Sequence, residues 1–555
     1  MRPAGERPLS CVRSFCKSRF AFLFQFICFY DFIFPVCSLI EKLSLSHIPF
    51  KNDAIVESWQ ELIDDCLGNI HTFNTKDRPG IEAAATAALS ALSKEFYKTD
   101  SGEALLFVQD SLLSRYLEGL HCDIEQVRGS FAMALGVLPD FLLRGRLQQV
   151  LQGLYGVTKT PSTFPEFYDA RRDAVVAIAS VCTTVDACWD GDEQADLCQQ
   201  NVDTIYNALM EAMNDFTRNI QGDVSLQVRV AAMNAATDVT LLLAKREPRF
   251  LTADIMRQLM CAFAPHLGET VKNTQKFATL SFMKLLHHDS PPLDHIPHRR
   301  QLEEIFPRNE TLQTPTEIFP RAARLLSLPA YRPGMLLALS IAAGNVSTTQ
   351  VVTKPLLEYI RSNEDSVEMN DFCELLLDIL DSNLENARIS TELLSAVDIM
   401  LSSGCFDVIE DSNHPFPQKL FSLCKRALRN KNLNKLKKII SVFCGLMQFH
   451  GELRRDIVKN LLYYLGHRLL QVRVWVAEQL YEMLLMFDDL LSPDDGEVTM
   501  CILSETNWHE PPDALKPVLN KLKEYMTKVM PPTALSPQRL VCLSSFQISN
   551  PLSQR

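Results

Sequence analysis

A charged residue at the head of an apolar run recurs along this chain at a nearly fixed interval. "QVRGSFAMALGVL" begins at Gln126, "QVRVAAMNAATDV" at Gln227 and "QVRVWVAEQLYEML" at Gln471. Aligned on Val-Arg, the first and third strings share an Ala at Ala132 and Ala477 and a Leu at Leu135 and Leu480. With Arg128 as anchor, the same register is read at Glu82, Arg128, Arg172, Arg229 and Lys276, in steps of 46, 44, 57 and 47 residues. Weaker copies fall at Arg388, Lys438 and Arg473. The long step contains "WDGDEQAD", residues 189–196, whose acidic and Gly content marks a loop inserted between helices.

A period of about 40–47 residues carrying two helices is the mark of HEAT or armadillo repeats, in which no unit buries its apolar face alone. The predicted fold is therefore all-α, a HEAT/armadillo-like helical-repeat solenoid. Composition agrees, with only 20 Gly and 47% hydrophobic residues in 555. In this register Arg128, Arg229 and Arg473 stand near the start of the second helix of a repeat, where each can bond a neighbouring turn. Ala132 and Ala477 then occupy helix–helix contacts, where a larger side chain would overpack at a cost of about 1–3 kcal/mol.

The net charge is −12, and 55 basic residues are spread along the chain. That distribution excludes an electrostatic footprint for a nucleic-acid backbone. Sixteen Cys fall singly, several inside apolar runs, as expected of reduced thiols in the cytosol. Residues 1–50 are of another kind. "SRFAFLFQFICFYDFIFPVCSLI", residues 18–40, follows Arg2, Arg7, Arg13 and Lys17 and looks like a signal or anchor. Asp31 and Pro35 interrupt it, and a charge at mid-span costs roughly 2.5–3.5 kcal/mol. We expect a disordered leader outside the repeats and no membrane partner. The remaining boundaries are repeats over 52–288, a Pro-rich connection over 289–318, a second helical block over 319–530 and a disordered tail over 531–555.

Signatures of catalysis are absent: no Walker A loop, GxGxxG, HExxH, GxSxG or paired CxxC occurs. We expect no enzyme active site and no cofactor. His287, His288, Asp289, Asp294, His295 and His298 bring metal-ligating types together, but Pro291, Pro292 and Pro297 remove the helical spacing that a ligand pair would use. The expectation is a packed or partner-facing loop without metal, with His295, His298 and Arg299 as candidate contacts. Residues 425–438 carry seven cations: Lys425, Arg426, Arg429, Lys431, Lys435, Lys437 and Lys438. This run is either a solvated helix face or a local dock for an acidic partner.

Several strings resemble the C-terminal half of the tubulin-folding cofactor D family. They are "RGSFAMALGVLPDFLLRGRLQQVLQGL" (128–154), "RRDAVVAIASVC" (171–182), "VRVAAMNAATDVTLLLA" (228–244), "HHDSPPLDHIPHRRQLEEIFPR" (287–308), "HPFPQKLFSLCKRAL" (414–428) and "LYEMLLMFDDLL…VTMCILSETNW" (480–508). The resemblance implies a cytoplasmic, cytoskeleton-associated scaffold that binds β-tubulin after chaperonin release. With other tubulin-folding cofactors and an Arf-like small GTPase, such a scaffold joins α- and β-tubulin and stimulates GTP hydrolysis by tubulin. It also implies further N-terminal repeats, and residues 1–50 match nothing in the family. The alternative is a generic HEAT-repeat scaffold without tubulin specificity.

Overall fold

A computed structural model describes residues 30–46, 53–159, 167–186, 198–219, 222–362, 366–409, 414–428 and 432–528. The tail expected from residue 531 and the acidic insert at 189–196 lie outside the described residues. The chain divides into two compact units, 1–321 and 322–555. The first carries α1 (Tyr30–Leu45), α2 (Asp53–Gly68), α3 (Arg78–Phe96), α4 (Leu106–Gly119), α5 (Glu125–Gly136), α6 (Asp140–Leu143), α7 (Leu147–Thr158), α8 (Tyr168–Asp186), α9 (Gln199–Met213), α10 (Leu226–Arg246), α11 (Ala253–Phe263), α12 (Lys272–Leu286) and α13 (Arg299–Ile305). Helix α14 (Pro315–Arg324) runs across the division. The second carries α15 (Arg332–Gly344), α16 (Thr349–Ser362), α17 (Ser366–Ser382), α18 (Ala387–Ser402), α19 (Phe416–Ala427), α20 (Leu433–Gly445), α21 (Glu452–Leu465), α22 (Leu470–Met486), α23 (Pro493–Glu505) and α24 (Pro512–Met526).

Each unit is a HEAT/armadillo-like stack of helix pairs. In the first, α3, α5, α8, α10 and α12 pack successively into an inner layer, backed by α2, α4, α7, α9 and α11. In the second, α15, α18, α20 and α22 do the same. The two kinds of helix differ in sequence for a physical reason. The outer helix α11 buries one stripe, Ile255, Met256, Leu259, Met260 and Phe263, and leaves its other face to water. The inner helix α10 is gripped on several sides and buries Val228, Ala232, Met233, Ala236, Val239 and Leu243, with Arg229 among them. Small residues let inner helices approach: a Cβ on Gly344 of α15 would strike the carbonyl of Glu392 in α18. Ala132 and Ala477 are both buried, in α5 and α22.

The leader expected over residues 1–50 is corrected in part. Residues 30–45 form a helix, and α1 lies along α3 as a further inner-layer member. Ile33, Cys37, Ile40 and Ser44 are buried at spacings of four, three and four, which is one helical face. Aromatic density hid that stripe in the sequence. No helix among the described residues is long and apolar enough to cross a membrane.

Two of the three repeated Arg residues, Arg229 and Arg473, tie successive turns together. Arg229 is fully buried; its guanidinium donates to the Asp215 carbonyl at 2.8 Å and pairs with Asp223 at 2.8 Å and Glu269 at 3.2 Å. One side chain thus ties the turn before its own helix to the turn of the next repeat. Arg473 donates to the carbonyls of His467 and Arg468 behind it and of Trp508 and Glu510 ahead of it. Arg128 is shallower and donates to the Cys122 carbonyl at 2.8 Å. The expected register is late at several positions: by three residues at Lys438, where Lys435 is the buried joint of α20, and by one at Glu82, where Ile81 is the fully buried residue, and at two more. Arg171, not Arg172, is buried and pairs with Asp215 at 2.7 Å, and Gln275, not Lys276, is buried and donates to the Leu267 carbonyl. Adjacent basic residues, Arg171–Arg172, and an adjacent Gln–Lys pair made the choice ambiguous in one dimension.

Two outcomes follow for stability. Starting the chain at Lys51 uncovers the α3 face under Ile33, Cys37 and Ile40, each worth about 1.5–3 kcal/mol when fully buried, so Tm should fall by at least about 5 °C. An unchanged melting curve would show that α1 adds nothing to the stack. Arg229→Met strands the Asp223 and Glu269 carboxylates without their guanidinium and should cost about 3–5 kcal/mol in urea denaturation, whereas Arg172→Met should cost under about 1 kcal/mol.

Candidate partner-binding surfaces

The basic run is not one surface. Arg429 and Lys431 lie outside the described residues; the others divide between α19 and α20 and face different ways. Lys435 is 1% exposed, and its ammonium donates to the Leu384 carbonyl at 2.6 Å. Burial pulls its pKa below the usual lysine range, with Glu385 acting the other way. It is a buried joint like Arg229 and is corrected from candidate contact to structural residue. Arg426 is paired with Asp381. Lys425 lies over the Phe421 ring and Lys437 over the Trp475 ring, at 5.3 and 5.4 Å from the centroids. Lys438 faces Asp398, whose carboxyl is pushed up to about 6, chiefly by burial and against the pull of Lys438. Lys425, Lys437 and Lys438 remain available at the surface, on two helices.

The histidine loop is held by its backbone. His295 and His298 both have positive φ, 63° and 54°, and His295 is exposed. Arg299 donates to the carbonyls of Leu293 at 2.6 Å and Leu286 at 3.1 Å, tying the loop to the end of α12. Arg299 is therefore a brace within the loop, with its side chain still 30% exposed. The ring of His287 meets the Phe306 carbonyl at 2.7 Å. Among the described residues no group of three His, Cys, Asp or Glu is placed to hold a metal ion.

A surface that the sequence did not single out lies between α8 and α10. It is a groove of ≈ 740 Å³ floored by Val176, Ala179, Val230 and Ala231, with Arg172 at one end and Asp238 at the other. Val176, Asn234 and Leu280 stand five residues beyond Arg171, Arg229 and Gln275, so the joint that buries the anchor turns this position outward on α8, α10 and α12. Val176 is 36% and Leu280 44% exposed. At the Arg172 end the guanidinium is taken up by Asp169, Asp173 and Gln227. Asp173 can lie over α5 because Gly129 has no side chain; a Cβ there would be 2.7 Å from its carboxylate. Glu82 is pushed up to about 7, first by burial and then by Asp173, with Arg172 opposing. Asp173 itself is raised by burial. The corresponding sequence signal is Val, Asn and Leu at the +5 positions 176, 234 and 280.

Residues 257–435 match the family model described as "Tubulin folding cofactor D C terminal". This segment is similar to the C-terminal region of tubulin folding cofactor D. It runs from α11 into α20, taking in His295, His298, Arg299 and the basic run as far as Lys435. The chain is also similar to solved structures at the level of helical architecture. Importin beta in an ammonium sulfate condition is 14% identical over 88% of this chain and 62% of its own, with a TM-score of 0.29. A microtubule polymerase array of tumor overexpressed gene (TOG) domains is 15% identical over 90% of this chain and 98% of its own, with a TM-score of 0.25.

Outside the matched segment, the Glu82 carboxyl carries a pH dependence whose sign is fixed. Its folded pKa lies above the unfolded value, so the folded protein holds the proton more tightly, and stability falls as pH rises from about 4.5 through about 7. Glu82→Gln should remove that slope and stabilise the protein at pH 8 by on the order of 1–3 kcal/mol, with little gain at pH 5. Equal gains at both pH values would mean that burial of the charge is not the cause.

Proposed function

We propose that this chain is a non-catalytic tubulin-engaging scaffold: it binds β-tubulin after chaperonin release and contributes to assembly of the α/β heterodimer. Together with other tubulin-folding cofactors and an Arf-like small GTPase, it contributes to stimulating GTP hydrolysis on tubulin. Its place of action is the cytoplasm, in association with the cytoskeleton. The observation that carries this reading is the family match over residues 257–435. A stack of helix pairs suits the task because it grips through a surface summed over many repeats, each contributing little.

Purified chain mixed with αβ-tubulin should co-elute on size exclusion yet leave the rate of GTP hydrolysis by tubulin alone unchanged. Elution of two separate species at micromolar concentration would sink the reading. Acceleration of hydrolysis without other cofactors would show that the chain is sufficient by itself. Lys437→Glu with Lys438→Glu tests the surviving basic surface and leaves Lys435 intact, because a carboxylate at that buried joint would unfold α20. If the surface docks an acidic partner, the double variant should bind tubulin several-fold more weakly with a reduced salt dependence. Unaltered capture would leave these lysines as a solvated face.

A further inference from the structure

The groove between α8 and α10 has the anatomy of an interface, with an apolar centre and a charged rim. Its floor is Val176, Ala179, Val230 and Ala231, and the small alanines keep it open rather than filled by its own side chains. On α12 the corresponding position is Leu280, 44% exposed, with the polar Asn234 of α10 between it and Val176 in the repeat order. The rim carries excess negative charge. At one end Asp169 and Asp173 pair with the Arg172 guanidinium, and Glu82 is influenced by both Arg172 and Arg78. At the other, Asp238 meets one cation, Lys284, in an exposed pair at 3.4 Å. The apolar floor selects aliphatic side chains, and the carboxylates select cations at the ends.

We propose that this groove seats a segment of tubulin that is aliphatic at its centre and flanked by Lys or Arg. The identity of the partner rests on the function proposed above; the chemistry of the segment rests on the groove. An acidic scaffold meets its partner here through apolar burial and locally opposite charge. The groove lies N-terminal to the family-matched segment, so the proposal adds a contact beyond residues 257–435.

The test compares tubulin affinity, by surface immobilisation of the full chain, for the parent, for Val176→Arg with Asn234→Arg, and for Val346→Arg. Both groove positions are exposed enough to accept a long side chain, and Val346, 95% exposed in the other unit, is the control. The groove variant should bind at least about tenfold more weakly with an unchanged circular dichroism melt, and the control should bind like the parent. Asp238→Asn should weaken binding less and flatten its salt dependence. A second measurement covers loss of fold: a photo-crosslinking residue at Asn234 in the otherwise unchanged chain should capture a tubulin peptide that contains aliphatic residues beside Lys or Arg. If the parent binds no tubulin, the functional reading falls and this one with it. If the parent binds and the folded groove variant binds equally, or the Asn234 probe captures no tubulin, the groove proposal alone is overturned.

Discussion

A guanidinium withdrawn from water, as at Arg229, organises the way one helix pair is set against the next. Stripping an ion of its hydration costs several kcal/mol unless carboxylates and carbonyls replace the lost water. Arg229 finds a carbonyl at Asp215 and carboxylates at Asp223 and Glu269, and these belong to two consecutive turns. Only one relative placement of the two repeats satisfies them all. Apolar packing between inner helices is large but tolerant of sliding, because one aliphatic surface resembles another. The directional bonds of the joint remove that tolerance. Arg473 performs the same task with four carbonyls, and Lys435 with one. Glu125 works in the opposite sense, accepting from the Asp169 backbone amide at 2.7 Å at the start of α8.

The joint explains why so much of the fold was legible. A side chain that must reach a turn from the first turn of an inner helix has a fixed place in each repeat, so the period shows in the sequence as Val-Arg. Where the position is filled by a residue of another type, the signal blurs. Gln275 makes the same bond to a turn carbonyl without a charge, and the neighbouring Lys276 carries the charge that the pattern otherwise places there. Helix α1 was missed for a different reason. Its buried stripe of Ile33, Cys37, Ile40 and Ser44 is ordinary, but it sits within a run so rich in aromatics that hydropathy alone reads as a leader. Which side of a helix meets its neighbour is a tertiary fact, and one apolar run does not contain it.

The candidate contacts were harder to read, because the residue types that recognise a partner are the types that build the joints. Lys435 and Arg299 look like surface cations in sequence, yet each donates to main-chain carbonyls inside its own unit. Arg426 is matched by Asp381. A count of basic residues in a window cannot separate these fates, since helical geometry sends positions 435, 437 and 438 around the cylinder at about 100° per residue. The residues that are free to meet a partner are better found by subtraction. Once Arg171, Arg229 and Gln275 are fixed inward, the residue five positions on is fixed outward, and at Val176 and Leu280 it is apolar.

That geometric coupling bears on how an acidic scaffold can hold another protein. The inner helices of the first unit gather carboxylates at the Arg172 end of the groove, and burial already holds Glu82 and Asp173 above the usual carboxylate range. A cation added there would relieve a repulsion that the free protein carries and draw the Glu82 pKa back down, with the cost of ionising Glu82 set against the attraction of the new pair. Placing the same cation beside Lys437 and Lys438 would cost energy. Within the first unit, then, carboxylates and the exposed Val176 lie beside the same groove between α8 and α10, although Leu106 and Phe107 of α4 are the more exposed apolar residues. In the second unit charge and apolar exposure diverge: the exposed Leu485 and Met486 stand at the end of α22, away from the lysines of α20 in sequence. Coincidence of the two properties, rather than the abundance of either, is what marks a surface as suited to recognition.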